Sequence, residues 1–362
     1  AGNCSFVQLG WAVAVASLAL GMSGMAKTRM QKGPPASKEV ALWAAVTAAT
    51  LLTMYLLTAT LVAPIRSCEE VPSCVEVHEK NTPRGNLLNG YAICGLSTAL
   101  VLEMVSLHFS YESARPVLGL INGLDNTFMP PILLCITLSV LIVENLIFFC
   151  SSTPWYLNAG AGGSPVYTSI YLEWLINVPI LLVLAGTCAL DRPASEIARP
   201  LMVTNIYIVF AWTAHFVPQP WLRWLLVIAT FLLYGWASAD MMKWATKYHA
   251  DADPDVSGGH LRLASTLGLI VIFGAYGIVY LCRLVGVLDC YGERVWYLCM
   301  NIGSKVIMLM LFGGIRSSRY HDLIVNMLVN THFSFRRQVA VMDQQESGNG
   351  EDDCYKHLIE TA

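Results

Sequence analysis

The sequence predicts an all-α integral membrane protein. Of its 362 residues, 55% are hydrophobic and only 13% are charged, and the mean hydropathy is +0.54. Soluble domains carry about 25% charged residues. Apolar stretches of about 20 residues, the length that an α-helix needs to cross a bilayer, recur along most of the chain. A bundle of transmembrane helices is therefore expected, with the lipid bilayer as its surroundings.

Nine apolar segments are long enough to cross a membrane, and they fall into two groups. The first two, 5–26 and 39–64, form a predicted N-terminal extension. The other seven follow a predicted extracellular loop at 65–88. They cover approximately 89–110, 129–150, 166–188, 198–216, 220–245, 261–286 and 294–315. The expected organisation is thus an extra N-terminal helix pair (1–64), a seven-helix bundle (89–315) and a cytoplasmic tail (316–362).

Short connections join the last seven segments. The stretch "SSTPWYLNAGAGGSP" is Gly-rich and uncharged, which is typical of a turn or hairpin resting on the membrane surface. The stretch "FVPQPW" barely separates two helices, which must be antiparallel neighbours. The C-terminal stretch "MDQQESGNGEDD" is polar and is predicted to be disordered.

Charge predicts the orientation. Most Lys and Arg residues outside the spans fall on the side of the C-terminal tail, and such an excess marks the cytoplasmic side. The other side holds Arg66, Lys80, Arg84, Arg223, Arg283 and Arg294. We expect an extracellular N-terminus and a cytoplasmic C-terminus in the plasma membrane. The net charge of −3 and the absence of a basic cluster argue against a nucleic-acid partner.

Most of the eleven cysteines lie within the spans, so they do not form a disulfide framework. Cys68 and Cys74, in "RSCEEVPSC", fall in the predicted extracellular loop, where oxidising conditions permit a disulfide.

Lys305 lies near the middle of the last apolar segment, in "WYLCMNIGSKVIMLMLFGG". A charged side chain at that depth is costly unless it is paired or functional. Glu173 lies near the middle of another span, in "YTSIYLEWLINVPILLVL". A buried amine and a buried carboxylate keep each other charged when they meet, so we expect Glu173 to face Lys305. A lysine that only extends toward the membrane surface is the alternative, but about ten apolar-rich residues flank Lys305 on each side.

Helical spacing adds neighbours to this pair. Asn177 shares a helix face with Glu173, and Asn301 shares one with Lys305, because residues four apart lie on the same side of a helix. The small Gly303 and Ser304 leave room beside the lysine for a bulky group. Four aromatic residues are candidates for lining that space, with ordinary core packing as the alternative. They are Trp174, Phe273, Tyr276 and Tyr280.

These segments resemble the microbial (type 1) rhodopsins. The stretch "YLEWLINVP" is similar to the third helix of that family, and "NIGSKVIM" to the retinal-binding segment of the seventh; "FGAYGIVYL" adds support from the sixth. The resemblance implies a seven-helix retinal-binding bundle, with all-trans retinal joined to Lys305 as a protonated Schiff base and Glu173 as counterion. The remaining residues expected near retinal are Trp174, Asn177, Val178, Pro179, Asn205, Phe273, Tyr276, Tyr280, Asn301 and Ser304.

Departures from the family pattern argue against an outward proton pump. The second acid of the family is Asn301 here, the arginine that precedes the counterion is Ile170, and the proton-donor acid is Leu184.

Within the family, "VENLIFFCSSTPWY" resembles the second helix of channelrhodopsins and places Glu144 at their pore glutamate. The expected pore residues are Glu144, Glu173, Asn177 and Asn301. Val178 and Asn205 replace the Cys and Asp that commonly link helices three and four in that group, which bears on gating speed.

A light-gated channel for small inorganic ions, assembled as a homodimer or homotrimer, is therefore the expected function. A sensory or enzyme-regulating rhodopsin without ion conduction is the alternative, motivated by the extra N-terminal helices. A transporter without chromophore is a third possibility. The sequence has no Gly-rich phosphate loop, zinc-ligand spacing or nucleophile elbow, so the chain is not expected to be an enzyme.

Overall fold

In the part of the chain that the computed structural model describes, seven helices are long and apolar enough to cross a membrane. The structure describes residues 71–114, 129–150, 155–159, 164–251 and 258–318, with isolated positions at 45, 48, 49, 52, 321 and 325. In chain order the helices are α1 (Pro72–Ala114), α2 (Met129–Phe149), α3 (Thr168–Val183), α4 (Ala194–Ala214), α5 (Pro220–Asp251), α6 (Gly259–Leu284) and α7 (Cys290–Ser318). The seven predicted bundle spans are confirmed. The two predicted N-terminal spans lie outside the described residues.

Helix α1 begins at Pro72, well before the predicted start at residue 89. The predicted start lies too far along the chain because the prediction counted apolar residues, whereas the stretch "PSCVEVHEKNTPRGNLL" is polar. Proline is favoured in the first helical turn, where its missing N–H is no loss. The part of α1 that is apolar enough to cross a membrane is Pro83–Ser110. Much of the predicted loop at 65–88 is therefore helical.

A two-stranded antiparallel hairpin precedes α3, as the Gly-rich connection predicted. Its strands are β1 (Trp155–Leu157) and β2 (Pro165–Tyr167), with Tyr156 opposite Val166. The backbone N–H of Ala159 donates to the carbonyl of His215, 3.0 Å away, at the end of α4. We call this side of the bundle the hairpin end and the other side, where α3 passes into α4, the opposite end.

Helices α3 and α4 form the centre of the bundle. About four fifths of the residues in the apolar stretches of α3 and α4 are buried, compared with 17% for the apolar stretch of α1. Large apolar side chains such as Val101, Leu232, Val271 and Met310 are exposed on the outer helices. A bundle that is apolar on its outside suits a lipid environment.

Helix α3 ends in a π-helical turn, Leu184–Ala189. The N–H of Leu190 donates to the carbonyl of Ala185 at 3.2 Å, one residue farther back than in an α-helix. A Cβ atom at Gly186 would lie 2.8 Å from Ile197 Cδ1. Glycine therefore lets α3 and α4 approach closely where the turn widens.

Candidate functional site

Lys305 and Glu173 form an ion pair in the middle of the bundle. Lys305 Nζ, on α7, lies 3.2 Å from Glu173 Oε1 on α3. Their residues are only 3% and 2% exposed. Charges buried this deeply are tolerated only in pairs with further polar contacts.

Two amides complete the polar contacts of this pair. Asn177 Nδ2 donates to Glu173 Oε1 and, at 3.3 Å, to the backbone carbonyl of Thr137 on α2. Asn301 Oδ1 accepts from Lys305 Nζ at 3.5 Å and from the hydroxyl of Tyr276. Glu173 Oε2 has no hydrogen-bond partner among the described residues. The structure thus brings together the two polar helix faces that the four-residue spacing predicted.

A cavity with aromatic walls opens beside Lys305, and we call it the aromatic cavity. About 700 Å³ of space lies between its lining atoms, including the part that opens outward, within the range of small-molecule sites. Its lining residues are Trp174, Val178, Leu181, Tyr207, Ile208, Ala211, Thr230, Phe231, Tyr234, Ile272, Phe273, Tyr276, Gly277, Tyr280, Ser304 and Lys305. All four candidate aromatic residues are among them.

The other predicted neighbours of retinal take different places. Asn177 and Asn301 contact the ion pair rather than line the aromatic cavity. Pro179 is buried within α3, and Asn205 is buried in α4. Neither amide atom of Asn205 has a hydrogen-bond partner in the described part of the chain. Pro179 and Asn205 are not among the residues that line the aromatic cavity, so their proximity to retinal stays a prediction.

A second, polar cavity lies among α1, α2, α3 and α7. Its lining residues are Asn89, Glu144, Asn145, Phe148, Ile170, Arg294, Tyr297, Leu298 and Asn301. We call it the polar cavity. Of the predicted pore residues, Glu144 and Asn301 line it, whereas Glu173 and Asn177 belong to the ion pair next to it. Asn301 is the residue that touches both.

Comparison with known proteins identifies the family. The family model of bacteriorhodopsin-like proteins matches residues 121–317, more than half of the chain. This chain is a bacteriorhodopsin-like protein. No curated protein sequence matches it.

Solved rhodopsin structures share the fold at low identity. The transmembrane domain and linker region of Salpingoeca rosetta rhodopsin phosphodiesterase is 15% identical with a TM-score of 0.58, covering 81% of this chain and 98% of that one. The proton pumping rhodopsin AR2 from the marine alga Acetabularia acetabulum is 15% identical with a TM-score of 0.53, covering 67% and 96%. At this identity the likeness concerns the fold alone.

Membership of the family implies a retinal chromophore, and the aromatic cavity of this rhodopsin suits one. Its walls are almost entirely apolar, as a polyene requires, and its polar end presents the amine of Lys305. The rings of Trp174 and Tyr276 pack edge to face with centroids 5.2 Å apart. Tyr280 donates to the carbonyl of Ala211 at 3.0 Å, so its ring is held in place.

Sequence analysis missed two arginines of this rhodopsin. The sequence prediction assigned Arg283 and Arg294 to the extracellular side, but both are buried, at 7% and 8% exposure. Arg283 pairs with Glu293 at 3.1 Å, and Arg294 lies over the ring of Phe148 at 4.4 Å. The prediction placed span ends at the edge of the apolar run, whereas α6 and α7 pack their terminal turns against one another. The sequence signal for these buried charges was the adjacent acid and arginine, Glu293 and Arg294, in "GERVW".

His215 is a second buried group at the hairpin end that the sequence did not single out. Its ring lies between Asn158, with Nδ2 to Nδ1 3.1 Å, and Tyr171, with Oη to Nε2 2.7 Å. Burial, together with the charges of Arg283 and Arg223, lowers the pKa of His215 to about 3. The ring is therefore neutral and links the hairpin to α3 and α4 by hydrogen bonds.

Ion pairs join the helices at the opposite end. Asp240 on α5 binds Arg199 of α4 at 2.5 Å and Lys243 at 2.9 Å, and Arg316 of α7 binds Glu103 of α1 at 3.0 Å. Arginines from neighbouring helices therefore pair with both buried carboxylates, Glu103 and Asp240.

Cys74 is disulfide-bonded, at the start of α1. Cys68 lies outside the described residues, so the Cys68–Cys74 bond stays a prediction.

Proposed function

We propose that this rhodopsin is a photoreceptor that acts as a light-gated ion channel. Lys305 is the attachment point for all-trans retinal and Glu173 is the counterion. The observation that carries the proposal is the isolated amine and carboxylate, 3.2 Å apart, at the end of the aromatic cavity and next to the polar cavity.

Bound through Lys305, retinal supplies the absorption of light and a change of shape. The protein supplies the electrostatics. Glu173 stabilises positive charge and a proton at Nζ of Lys305, and Asn177 holds the carboxylate by donating to Oε1. Asn301 accepts from both Nζ and Tyr276. A displacement of Nζ therefore changes the hydrogen bonds of a residue that also lines the polar cavity.

The lining of the polar cavity supports the proposal that this rhodopsin conducts ions. Glu144, Asn89, Asn145 and Asn301 offer polar groups to water or ions between four helices, and the sign and number of such groups set ion selectivity. The resemblance of "VENLIFF" to the second helix of channelrhodopsins agrees with this place for Glu144. Ile170, Leu184 and Asn301 lack the acid and base groups that an outward proton pump needs along one path.

Current through the membrane of a cell that expresses the retinal-loaded protein tests the proposal. We expect a photocurrent that depends on voltage and reverses near the equilibrium potential of one ion. A stationary current of constant sign at all voltages would indicate a pump. No current at any voltage, from protein with a visible absorption band, would contradict both forms of transport.

A sensory or enzyme-regulating rhodopsin is the second candidate. It is favoured by the larger share of this chain that the Salpingoeca rosetta rhodopsin phosphodiesterase domain covers, 81% compared with 67% for the Acetabularia pump. Absence of current, together with a long-lived photoproduct, would support it. In neither case do we assign enzymatic activity to the chain.

The remaining features of the proposal follow from the sequence. We infer a homodimer or homotrimer in the plasma membrane, with small inorganic ions as the transported species. The excess of Lys and Arg at the opposite end supports a cytoplasmic position for that end and an extracellular position for the hairpin end.

A further inference from the structure

We propose that the polar cavity contains a binding site for a small monovalent anion such as chloride, formed by Arg294, Asn89 and Tyr297. The inference deepens the proposed function, because it assigns an ion class to the cavity that Glu144 and Asn301 also line.

Unpartnered hydrogen-bond donors are the first support. Among the described residues, Nε and Nη2 of Arg294, Nδ2 of Asn89 and the hydroxyl of Tyr297 have no hydrogen-bond partner. All three residues line the polar cavity and are more than nine-tenths buried. A buried donor without a partner costs free energy comparable to a lost hydrogen bond. Three such residues around one cavity indicate a shared acceptor within it.

The placement of the Arg294 guanidinium is the second support. Its central carbon lies 4.4 Å from the ring centre of Phe148 and 5.8 Å from that of Tyr167. Contacts with a ring use the face of the guanidinium and leave its N–H edge available. A Cβ atom at Gly85 would lie 2.6 Å from Arg294 Nη1, so glycine gives the guanidinium the space that it occupies beside α1.

Charge indicates a monovalent anion. A buried guanidinium needs a counter-charge, and no ion pair of Arg294 occurs in the described part of the chain. Glu144 is the single acid among the lining residues. It lies close enough to affect Arg294 but forms no hydrogen bond with its free N–H groups. The single positive charge of Arg294 can balance a monovalent anion but not sulfate or phosphate, and a halide needs only the N–H and O–H donors present.

Chloride binding by the purified, retinal-loaded full chain in lipid nanodiscs tests the site in the dark. Chloride is titrated into protein kept in potassium gluconate, and binding is measured by calorimetry and by the line width of the ³⁵Cl resonance. We expect saturable binding of one chloride per chain. Absence of saturable binding to the wild type would overturn the proposal, and it would indicate that water alone satisfies these donors.

Two pairs of variants locate the site. Arg294→Gln should weaken chloride binding at least ~10-fold, as expected on losing hydrogen bonds from a charged donor, whereas Arg223→Gln, an equal charge change at the hairpin end, should not. Should Arg294→Gln fail to take up retinal, Asn89→Ala provides the test, with an expected loss of about 10-fold. Its control is Thr98→Ala on the same helix, because the Thr98 hydroxyl donates to the carbonyl of Cys94 at 2.9 Å and does not line the polar cavity. Equal affinity in wild type, Arg294→Gln and Asn89→Ala would refute the assignment.

Glu144→Gln gives an effect of the opposite sign. It removes a negative charge from the same cavity, so chloride binding should tighten by about 10-fold. Because these titrations need neither light nor current, their failure is distinct from failure of the channel proposal. A protein that binds no chloride but carries a photocurrent would conduct another ion.

Discussion

The two cavities differ in kind although they share helix α7. The aromatic cavity is lined by rings from α3, α4, α5 and α6 and presents one amine, Lys305. The polar cavity is lined by amides, an arginine and an acid from α1, α2 and α7. On α7, Lys305 belongs to the first cavity, while Tyr297 and Asn301 belong to the second. Asn301 and Lys305, one helical turn apart, therefore line two cavities of different kinds: one suits an apolar chromophore and the other suits polar species.

The largest expected effect is on the aromatic cavity alone. Lys305→Ala removes the amine to which retinal is proposed to attach, so the visible absorption band of protein incubated with all-trans retinal should be lost completely. Lys243→Ala is the control, since that side chain is 72% exposed and lies at the opposite end. A visible band that persists in Lys305→Ala would remove the basis for assigning different roles to the two cavities.

The second-largest expected effect is the spectral shift on losing the carboxylate that faces Lys305. At 3.2 Å and an effective dielectric constant of about 20, the pair interacts by about 5 kcal/mol before desolvation is counted. Glu173→Gln should shift the absorption maximum to longer wavelength, because positive charge is then held less strongly at the nitrogen. Glu103→Gln, which removes another buried carboxylate, should leave the spectrum unchanged. Identical spectra for wild type and Glu173→Gln would exclude Glu173 as the main counterion.

The smallest effect concerns the connection between the cavities. Tyr276→Phe keeps the ring in the aromatic cavity but removes the hydroxyl that donates to Asn301. One hydrogen bond is worth about 1 kcal/mol, so the spectral shift should be smaller than for Glu173→Gln, while the decay of the photocurrent should change several-fold. Tyr234→Phe removes a hydroxyl on the far wall, which donates to the carbonyl of Ile270 at 2.8 Å, and should leave the decay unchanged. Equal decay times in all three proteins would mean that Tyr276 does not couple the cavities.

The aromatic cavity was more predictable from sequence than the polar one. An amine and an acid in apolar segments stand out against their surroundings, and four-residue spacing locates their amide neighbours, so Glu173, Asn177, Asn301 and Lys305 could be grouped. Arg294 could not, because it lies where composition changes from polar to apolar and only tertiary packing decides whether it is buried. Ion pairs between distant segments, such as Arg316 with Glu103, have no local pattern at all.

The observed helices match the apolar stretches of the sequence closely, except where a helix continues beyond its apolar stretch. Helices α2, α3, α4 and α6 begin and end within a few residues of their apolar stretches. Helices α1 and α5 are longer, because backbone hydrogen bonds continue through polar residues that a count of apolar residues ignores. Residue composition therefore located the apolar parts of the helices better than it located the helix ends.

The length of α1 matters for whatever is joined to its N-terminal end. Its 43 residues rise about 65 Å, roughly twice the ~30 Å thickness of the hydrocarbon layer. Helix α1 is thus longer than that layer is thick, and Glu103, eleven residues before the C-terminal end of α1, is tied to α7 through Arg316. Helix α1 therefore links the disulfide-bonded Cys74 at one end of the bundle to α7 at the other end, through the ion pair of Glu103 with Arg316.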